Sequence, residues 1–138
     1  MKLKIYKGQG LSGHHGGPKV GMVNIYRRGR IALNAFLVRA LNLNSGDRLI
    51  IAQDTDTRND WYISFGDDST EGYRLSQRRA KQPGRGLLAC YCQEAIIKIL
   101  DSVKAETSAT FLVGTNSPKQ YEGRTWYRIL TANPTYIR

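Results

Sequence analysis

The chain has few of the residues from which metal sites and disulfide frameworks are built. Its 138 residues include two cysteines, Cys90 and Cys92, and two histidines, His14 and His15. The cysteines are two positions apart and point the same way only on a strand, a geometry that disfavours a bond between them. Two adjacent histidines supply too few ligands for a transition metal. We therefore expect neither a disulfide framework nor a metal site.

Signatures of catalysis are also missing. The acidic loop DTDTRND, residues 54–60, lacks the glycine and the terminal glutamate of a calcium loop. The sequence contains no Gly-x-Ser-x-Gly elbow and no phosphate-binding glycine loop ahead of Lys-Ser or Lys-Thr. Acid–base chemistry would have to rest on carboxylates in an exposed loop. We expect a protein that is not an enzyme and needs no cofactor.

Long apolar runs are absent as well. No stretch approaches the roughly 18 apolar residues of a membrane span. The beginning of the chain, MKLKIYKGQG, lacks the apolar segment of a secretion signal. We expect a soluble, cytoplasmic protein with no membrane partner, of a length that suits one ordinary domain.

Positive charge is what the chain has in excess. It carries 21 lysines and arginines against 11 acidic residues, a net charge of +10. Seven acidic residues and two arginines lie between Asp47 and Glu71, so this stretch has a net charge of −5 and the remainder +15. The basic remainder attracts phosphate, and the composition therefore favours nucleic acid as the partner.

The spacing of apolar residues predicts a mainly β fold with short helices. Residues 1–22 are rich in glycine after the strand-like KLKIY, which indicates a flexible N-terminal arm. Residues 23–68 and 69–138 each read as β-β-α-β-β. In the first unit, the helix AFLVRALNL places Phe36, Leu37, Ala40 and Leu41 on one face. MVNIYRRGRIALN is β-rich with a break at Arg28-Gly29. The other predicted elements are the strands RLIIA, WYISF, YRLSQRR, GLLACYC, ATFLV and TWYRIL, and the helix QEAIIKILDSV.

The two units match each other along the sequence. AFLVRAL at 35–41 lies over EAIIKIL at 94–100 with an offset of 59, and LII at 49–51 lies over FLV at 111–113 with an offset of 62. WYI at 61–63 lies over WYR at 126–128 with an offset of 65. Units this small bury their apolar faces better together than alone. We expect two pseudo-repeated halves that form one barrel-like or two-layer domain.

The stretch GRIALNAFLVRALNLNSGDRLIIAQD, residues 29–54, resembles the swapped-hairpin DNA-binding domains of the AbrB, SpoVT and MazE type. The shared features are a Gly-Arg-Ile strand, a short helix and a Gly-Asp turn before an apolar strand. Where that family usually has proline, this chain has Asn34, and its second unit has VKAETS in place of Gly-Asp. The resemblance implies two interlocked half-barrels that grip duplex DNA with basic residues of the first hairpin, here within one chain.

Basic residues concentrate in the predicted first hairpin of each unit, with tyrosines beside them. Arginine forms forked contacts to phosphates and to guanine edges. The hypothesis is a non-catalytic, AbrB-like regulator that binds duplex DNA. Trp61-Tyr62 and Trp126-Tyr127 are expected in the core or at the barrel rim. The candidate nucleic-acid-binding residues are Arg27, Arg28, Arg30, Arg74, Arg78, Arg79, Lys81, Arg85, Tyr26 and Tyr73.

Two alternatives stay open. Tyr26, Tyr73 and Tyr91 could stack on unpaired bases, as in proteins that bind single-stranded nucleic acid. In the other alternative the protein is a structural or assembly protein of the virion type, whose arm orders against a neighbouring subunit. Whether the protein forms a homo-oligomer is left open.

Overall fold

A computed structural model describes residues 2, 19–57, 60–66, 71–77 and 88–138, and these residues form a mainly β structure with two short helices. Residues 3–18 of the predicted arm and the basic loop 78–87 lie outside the described residues. The strands are β1 (Met22–Tyr26), β2 (Arg30–Leu33), β3 (Arg48–Gln53), β4 (Trp61–Gly66), β5 (Tyr73–Arg74), β6 (Ser76–Gln77), β7 (Leu88–Tyr91), β8 (Ser108–Tyr121), β9 (Arg124–Ile129) and β10 (Tyr136–Ile137), and the helices are α1 (Ala35–Ala40) and α2 (Gln93–Ser102).

The strands form a nearly closed barrel. Their order is β5-β3-β4-β9-β8-β1-β2-β7-β6, with β10 added to β8, and the strand pairs are antiparallel. Strands β5 and β6 stand at the two ends of this order but are consecutive in the chain, so the segment that contains them brings the ends of the sheet together. The expected mainly β, barrel-like class is confirmed, whereas the pseudo-repeat stays a prediction.

Leu75 divides the predicted strand YRLSQRR into β5 and β6. Its N–H donates to the carbonyl of Asp47 and its carbonyl accepts from the N–H of Gly46, while its side chain is fully buried. Residues before Leu75 therefore pair with β3, and residues after it pair with β7. A buried apolar side chain at the point where a strand changes partners fixes that corner of the barrel.

The barrel interior is filled by the alternate residues of its strands. Val23 and Ile25 of β1, Ile31 and Leu33 of β2 and Phe111 of β8 have no exposed surface. The residues between them point to the other side of the sheet, as the two-residue period of a strand requires; on that side Asn24 is partly exposed, whereas Ala32 is buried. Trp61 is also in the core, with 4% of its surface exposed, which agrees with the expectation for this tryptophan.

The helices pack against the barrel through narrow apolar faces. Helix α2 buries Ile96, Ile99 and Leu100. Helix α1 buries only Leu37, while Val38 and Leu41 are partly buried against the core.

The helical face predicted for α1 is therefore partly wrong. Ala40 is exposed, and Val38, which was not assigned to that face, packs against the core. A six-residue helix has less than two turns, so the strands at its ends, rather than its own spacing, decide which side chains it buries. Neither of the two described helices has the length and apolar character that a membrane span needs.

Candidate nucleic-acid interface

The hairpin of β1 and β2 carries a row of outward-facing side chains. Tyr26 is opposite Arg30 in β2, and Arg30 is opposite Tyr91 in β7. Opposed residues of an antiparallel sheet lie on the same face, and their neighbours Ile25, Ile31 and Cys90 point into the core. Tyr26, Arg30 and Tyr91 therefore form one row on the outer face, which we call the Tyr-Arg-Tyr row.

This row combines two exposed rings with a cation between them. Tyr26 is 37% exposed and Tyr91 is 64% exposed. The guanidinium carbon of Arg30 lies 5.5 Å from the centre of the Tyr26 ring. This contact fixes the side chain of Arg30 beside the ring and leaves its charge near the surface, since Arg30 is only half-buried. The row can stack on flat ligands and neutralise a phosphate at one point.

The next row along the same face is built from small residues. Ala32 of β2 is opposite Asn24 of β1 and Ala89 of β7, and Ala89 is opposite Ser76 of β6. Ala32 and Ala89 are themselves buried, with 2% and 6% of their surface exposed. The centre of this face therefore offers little surface to a ligand, and its accessible side chains lie at the end that carries the Tyr-Arg-Tyr row.

Pairing between β2 and β7 also places the two basic loops at opposite ends of this face. The β1–β2 turn follows Tyr26, next to Tyr91, whereas the loop between β6 and β7 leaves from the pair Gln77 and Leu88, next to Leu33. Along β2, Arg30 at one end and Leu33 at the other are three residues apart, which is about 10 Å at the rise of a strand. Four of the candidate residues belong to that second loop and lie outside the described residues: Arg78, Arg79, Lys81 and Arg85.

The side chain of Arg27 joins the β1–β2 turn to the end of helix α2. Its Nε donates to the carbonyl of Glu106 at 2.7 Å, its Nη2 donates to the carbonyl of Ala105 at 2.5 Å, and the same nitrogen lies 2.9 Å from Oδ1 of Asp101. The two carbonyls follow the end of helix α2 and Asp101 lies in its last turn, a position where a positive charge is favourable. The guanidinium therefore holds the β1–β2 hairpin against helix α2 through these three contacts.

Arg28, in contrast, is exposed at the tip of the same turn. The turn is closed by the N–H of Gly29, which donates to the carbonyl of Tyr26 at 2.8 Å. Gly29 has φ +100°, and a Cβ atom there would lie 2.8 Å from the Cα of Gln93. Only glycine fits this point, and the fit determines where Arg28 and Arg30 emerge. The glycine of the Gly-Arg-Ile pattern is thus explained by packing against α2.

The remaining described candidates lie on another strand. Arg74 and Tyr73 form β5, where Arg74 is opposite Arg48 of β3 and Tyr73 is opposite Leu49 of β3. Arg74 is exposed, and Tyr73 is 43% exposed. The two arginines place like charges side by side, an arrangement that a bound anion would stabilise. These candidates are on the opposite side of Leu75 from the β6–β7 hairpin and pair with β3, so the structure does not bring them onto the same sheet segment as the Tyr-Arg-Tyr row.

The structure adds two residues that the sequence reasoning did not select. Tyr136 of β10 is opposite the outward-facing Thr110, and the guanidinium carbon of Arg138 lies 5.7 Å from the Tyr136 ring centre. Tyr136 is 51% exposed. A second tyrosine–arginine pair therefore lies on the same sheet. The Tyr-x-Arg pattern at 136–138 is the only signal for it in the sequence, because nothing there predicts that β10 pairs with β8.

The cysteines form a buried pair behind this face. Cys90 and Cys92 are free thiols, exposed by 3% and 1%. The hydrogen bond to Cys92, together with burial, raises the pKa of Cys90, so that its thiol stays protonated. Among the described residues no group of three or more histidines, cysteines or acidic side chains converges as a metal site would require. His14 and His15 lie outside the described residues.

Comparisons with known proteins do not assign this face to a family. No family model, no curated protein and no solved structure matches the chain.

Proposed function

We propose that the protein binds duplex DNA through the outer face of β1, β2, β7 and β6, as a non-catalytic regulator of the AbrB type. The observation that carries the proposal is the pairing of β2 with β7, because it brings the two basic hairpins edge to edge in one sheet. About 10 Å separates the levels of the two hairpin ends. The major groove of DNA is about 12 Å wide, so phosphates on its two sides lie within reach of the two loops.

The strand pairings support the interlocked halves that this proposal assumes. Strand β1 pairs with β8, and β5 pairs with β3. If β1 corresponds to β5 and β6 together, β2 to β7, β3 to β8 and β4 to β9, then β1–β2 corresponds to β6–β7 and β3–β4 corresponds to β8–β9. The pairs β2–β7 and β4–β9 are then their own counterparts, and only the pairing of β10 with β8 has no counterpart among the described strands. Such exchange is what two swapped hairpins produce within a single chain.

The helix ends support the same correspondence. Asn42 and Lys104, which follow α1 and α2, are both non-glycine residues with positive φ, 53° and 58°. The N–H of the next residue, Leu43 or Ala105, donates to a carbonyl five residues back in both cases. Their offset of 62 equals the offset between the strands LII and FLV. This agreement is independent of side-chain similarity.

The chemistry of the face suits phosphate contacts. Arg28 and Arg30 are at one end, and the loop at the other end contains four basic residues in its sequence. The centre of the face is formed by the buried residues Ala32 and Ala89, so contacts to a duplex would be made from the two ends. Contacts to phosphate would fix the position of the duplex, and one or two arginines could read base edges.

The test is fluorescence anisotropy with a labelled duplex and its single strand, titrated at several salt concentrations. We expect tighter binding of the duplex. The double variant Arg28→Ala/Arg30→Ala should lower the slope of log affinity against log salt by about 0.9 for each phosphate that the variant no longer neutralises. Arg39→Ala is the control, since Arg39 is an exposed arginine on α1, and the effects are compared for each charge removed. Equal effects per charge of the double variant and the control would refute the assignment of this face.

The Tyr-Arg-Tyr row favours a second candidate, binding of single-stranded nucleic acid. Its two rings lie two strands apart, about 10 Å, with Arg30 between them. Stacking of a base on such a ring contributes about 1–3 kcal/mol. If single strands bind more tightly than the duplex, and Tyr91→Ala weakens that binding by tenfold or more at constant salt slope, this candidate replaces the first.

A further inference from the structure

A groove with aromatic and acidic walls lies on a different part of the barrel. It has a volume of about 430 Å³ and lies between the β3–β4 connection and the end of the β8–β9 hairpin. It is formed outside the sheet segment that carries the Tyr-Arg-Tyr row. The side chains that give it its chemical character are Asp54, Asp56, Tyr62, Lys119, Tyr121 and Trp126.

The long β8–β9 hairpin builds one wall of this groove. The pairing of β8 with β9 shifts register between Gly114 and Lys119, and such irregularities bend a hairpin. Beyond the shift, the indole N–H of Trp126 donates to the carbonyl of Tyr121 at 3.2 Å. This hydrogen bond orients the indole, while the Tyr121 ring stays 65% exposed. The wall is thus ordered and accessible.

The opposite wall is negatively charged. Oδ1 of Asp54 accepts the N–H of Asp56 at 2.8 Å and the N–H of Thr57 at 3.4 Å. The first of these hydrogen bonds is the main reason that the pKa of Asp54 is lowered, so its carboxylate stays ionised at neutral pH. Asp56 is exposed beside it. Two carboxylates face one lysine here, in a chain whose net charge is +10.

A cation of the chain itself already occupies part of the groove. Nζ of Lys119 lies 5.4 Å from the centre of the Tyr62 ring and donates to its hydroxyl at 3.2 Å. Aromatic faces attract ammonium and guanidinium groups, and carboxylates beside them strengthen that preference. The same wall repels phosphate. The groove therefore selects positively charged side chains rather than nucleic acid.

We propose that this groove binds the lysine-rich N-terminal segment, residues 1–18, of a second copy of the chain. The first 46 residues contain no aspartate or glutamate, and this segment contains Lys2, Lys4 and Lys7. In an extended segment Lys2 and Lys4 lie on the same side, about 7 Å apart. Asp54 and Asp56 both line the groove, so the two ammonium groups have two carboxylates to meet.

The proposed contact joins different surfaces of the two copies. Such a contact can repeat, and it leads to rings or open chains rather than to a closed dimer. It leaves the Tyr-Arg-Tyr row uncovered, so assembly and nucleic-acid binding can occur together. The proposal does not rest on the proposed function, because self-association is measured without nucleic acid.

The experiment is sedimentation velocity of the full chain, free of nucleic acid, at protein concentrations up to about 1 mM. We expect reversible association that weakens as salt is added. An arm variant, Lys2→Glu/Lys4→Glu/Lys7→Glu, and a groove variant, Asp54→Lys/Asp56→Lys, should each associate at least about tenfold more weakly, because like charges then meet. An equimolar mixture of the two should associate again, since each variant supplies the charge that the other needs.

Matched controls carry the same type of charge change elsewhere. Lys19→Glu lies beyond the segment, and Glu122→Lys lies at the hairpin tip without lining the groove. Both should associate as the unchanged protein does. Tyr121→Ser removes an exposed ring without altering charge and should weaken association several-fold, which tests the groove even if the doubly charged variant fails to fold.

Several results would overturn the proposal. These are a chain that stays monomeric at every concentration, an arm variant that associates normally, and a mixture that does not associate. If Tyr121→Ser weakens binding of a single-stranded oligonucleotide and leaves association unchanged, the groove holds an unpaired base instead.

Discussion

Arg27 and Arg28 are neighbours in the sequence, but the structure gives them different roles, and this difference can be measured. Truncation of Arg27 to alanine removes two hydrogen bonds to the carbonyls of Ala105 and Glu106 and the ion pair with Asp101. Hydrogen bonds from a charged donor contribute about 1.5–3 kcal/mol each when buried. An exposed ion pair contributes less than about 1 kcal/mol.

Solvent exposure reduces these values for Arg27. Its side chain is 39% exposed and that of Asp101 is 63% exposed, so we expect a total loss of about 2 kcal/mol. For a domain of this length, that loss lowers the melting temperature by roughly 6–8 °C. Arg28→Ala, at an exposed position in the same turn, should change stability by less than about 0.5 kcal/mol.

Thermal unfolding followed by circular dichroism gives the stability of both variants, and anisotropy at 10 °C gives their affinity for DNA. Arg27→Ala should unfold earlier and retain most of its affinity, while Arg28→Ala should melt normally and bind more weakly. Equal melting temperatures for the two variants would refute the structural role of Arg27. Loss of binding with Arg27→Ala alone, below its melting range, would refute the division between the two residues.

Three further substitutions test the packing that positions the candidate face. Gly29→Ala should cost at least about 2 kcal/mol more than Gly46→Ala in a denaturant titration, because both have φ near +100° but only Gly29 packs against a backbone atom. Asn34→Ala should cost about 1–2 kcal/mol in the same assay, since its side chain caps α1 and bonds the start of β1. Phe111→Ala should cost about 3–5 kcal/mol in calorimetry, since its side chain is fully buried.

Local patterns in the sequence predicted the type and position of most elements. The alternation in MVNIY, the apolar run RLIIA and the helical spacing in QEAIIKILDSV correspond to β1, β3 and α2. These signals are short-range, because burial of one face imposes a period of two residues on a strand and of 3.6 on a helix. The mainly β class follows from them directly.

The sequence patterns did not predict contacts between residues that are far apart in the chain. Nothing local to YRLSQRR indicates that Leu75 separates two strands with different partners, because the division depends on Gly46 and Asp47 in another part of the chain. Arg27 likewise resembles its neighbour Arg28 in the sequence, and only its contacts 74–79 residues away distinguish it. Charge clusters thus predicted a basic face, but not which of its arginines also holds the fold together.

Residues 23–68 expressed alone should not fold as a monomer, because each half of the barrel completes the other. Within this segment β1 lacks its partner β8, β2 lacks β7, and β4 lacks β9. Unpaired edges with buried side chains are unstable in water. An identical copy would supply β3 in place of β8, β2 in place of β7 and β4 in place of β9, so the predicted repeat requires a folded homodimer at high concentration. Sedimentation equilibrium with circular dichroism decides the matter: a folded monomer would contradict the interlocked arrangement, and a segment that remains unfolded at all concentrations would contradict the repeat.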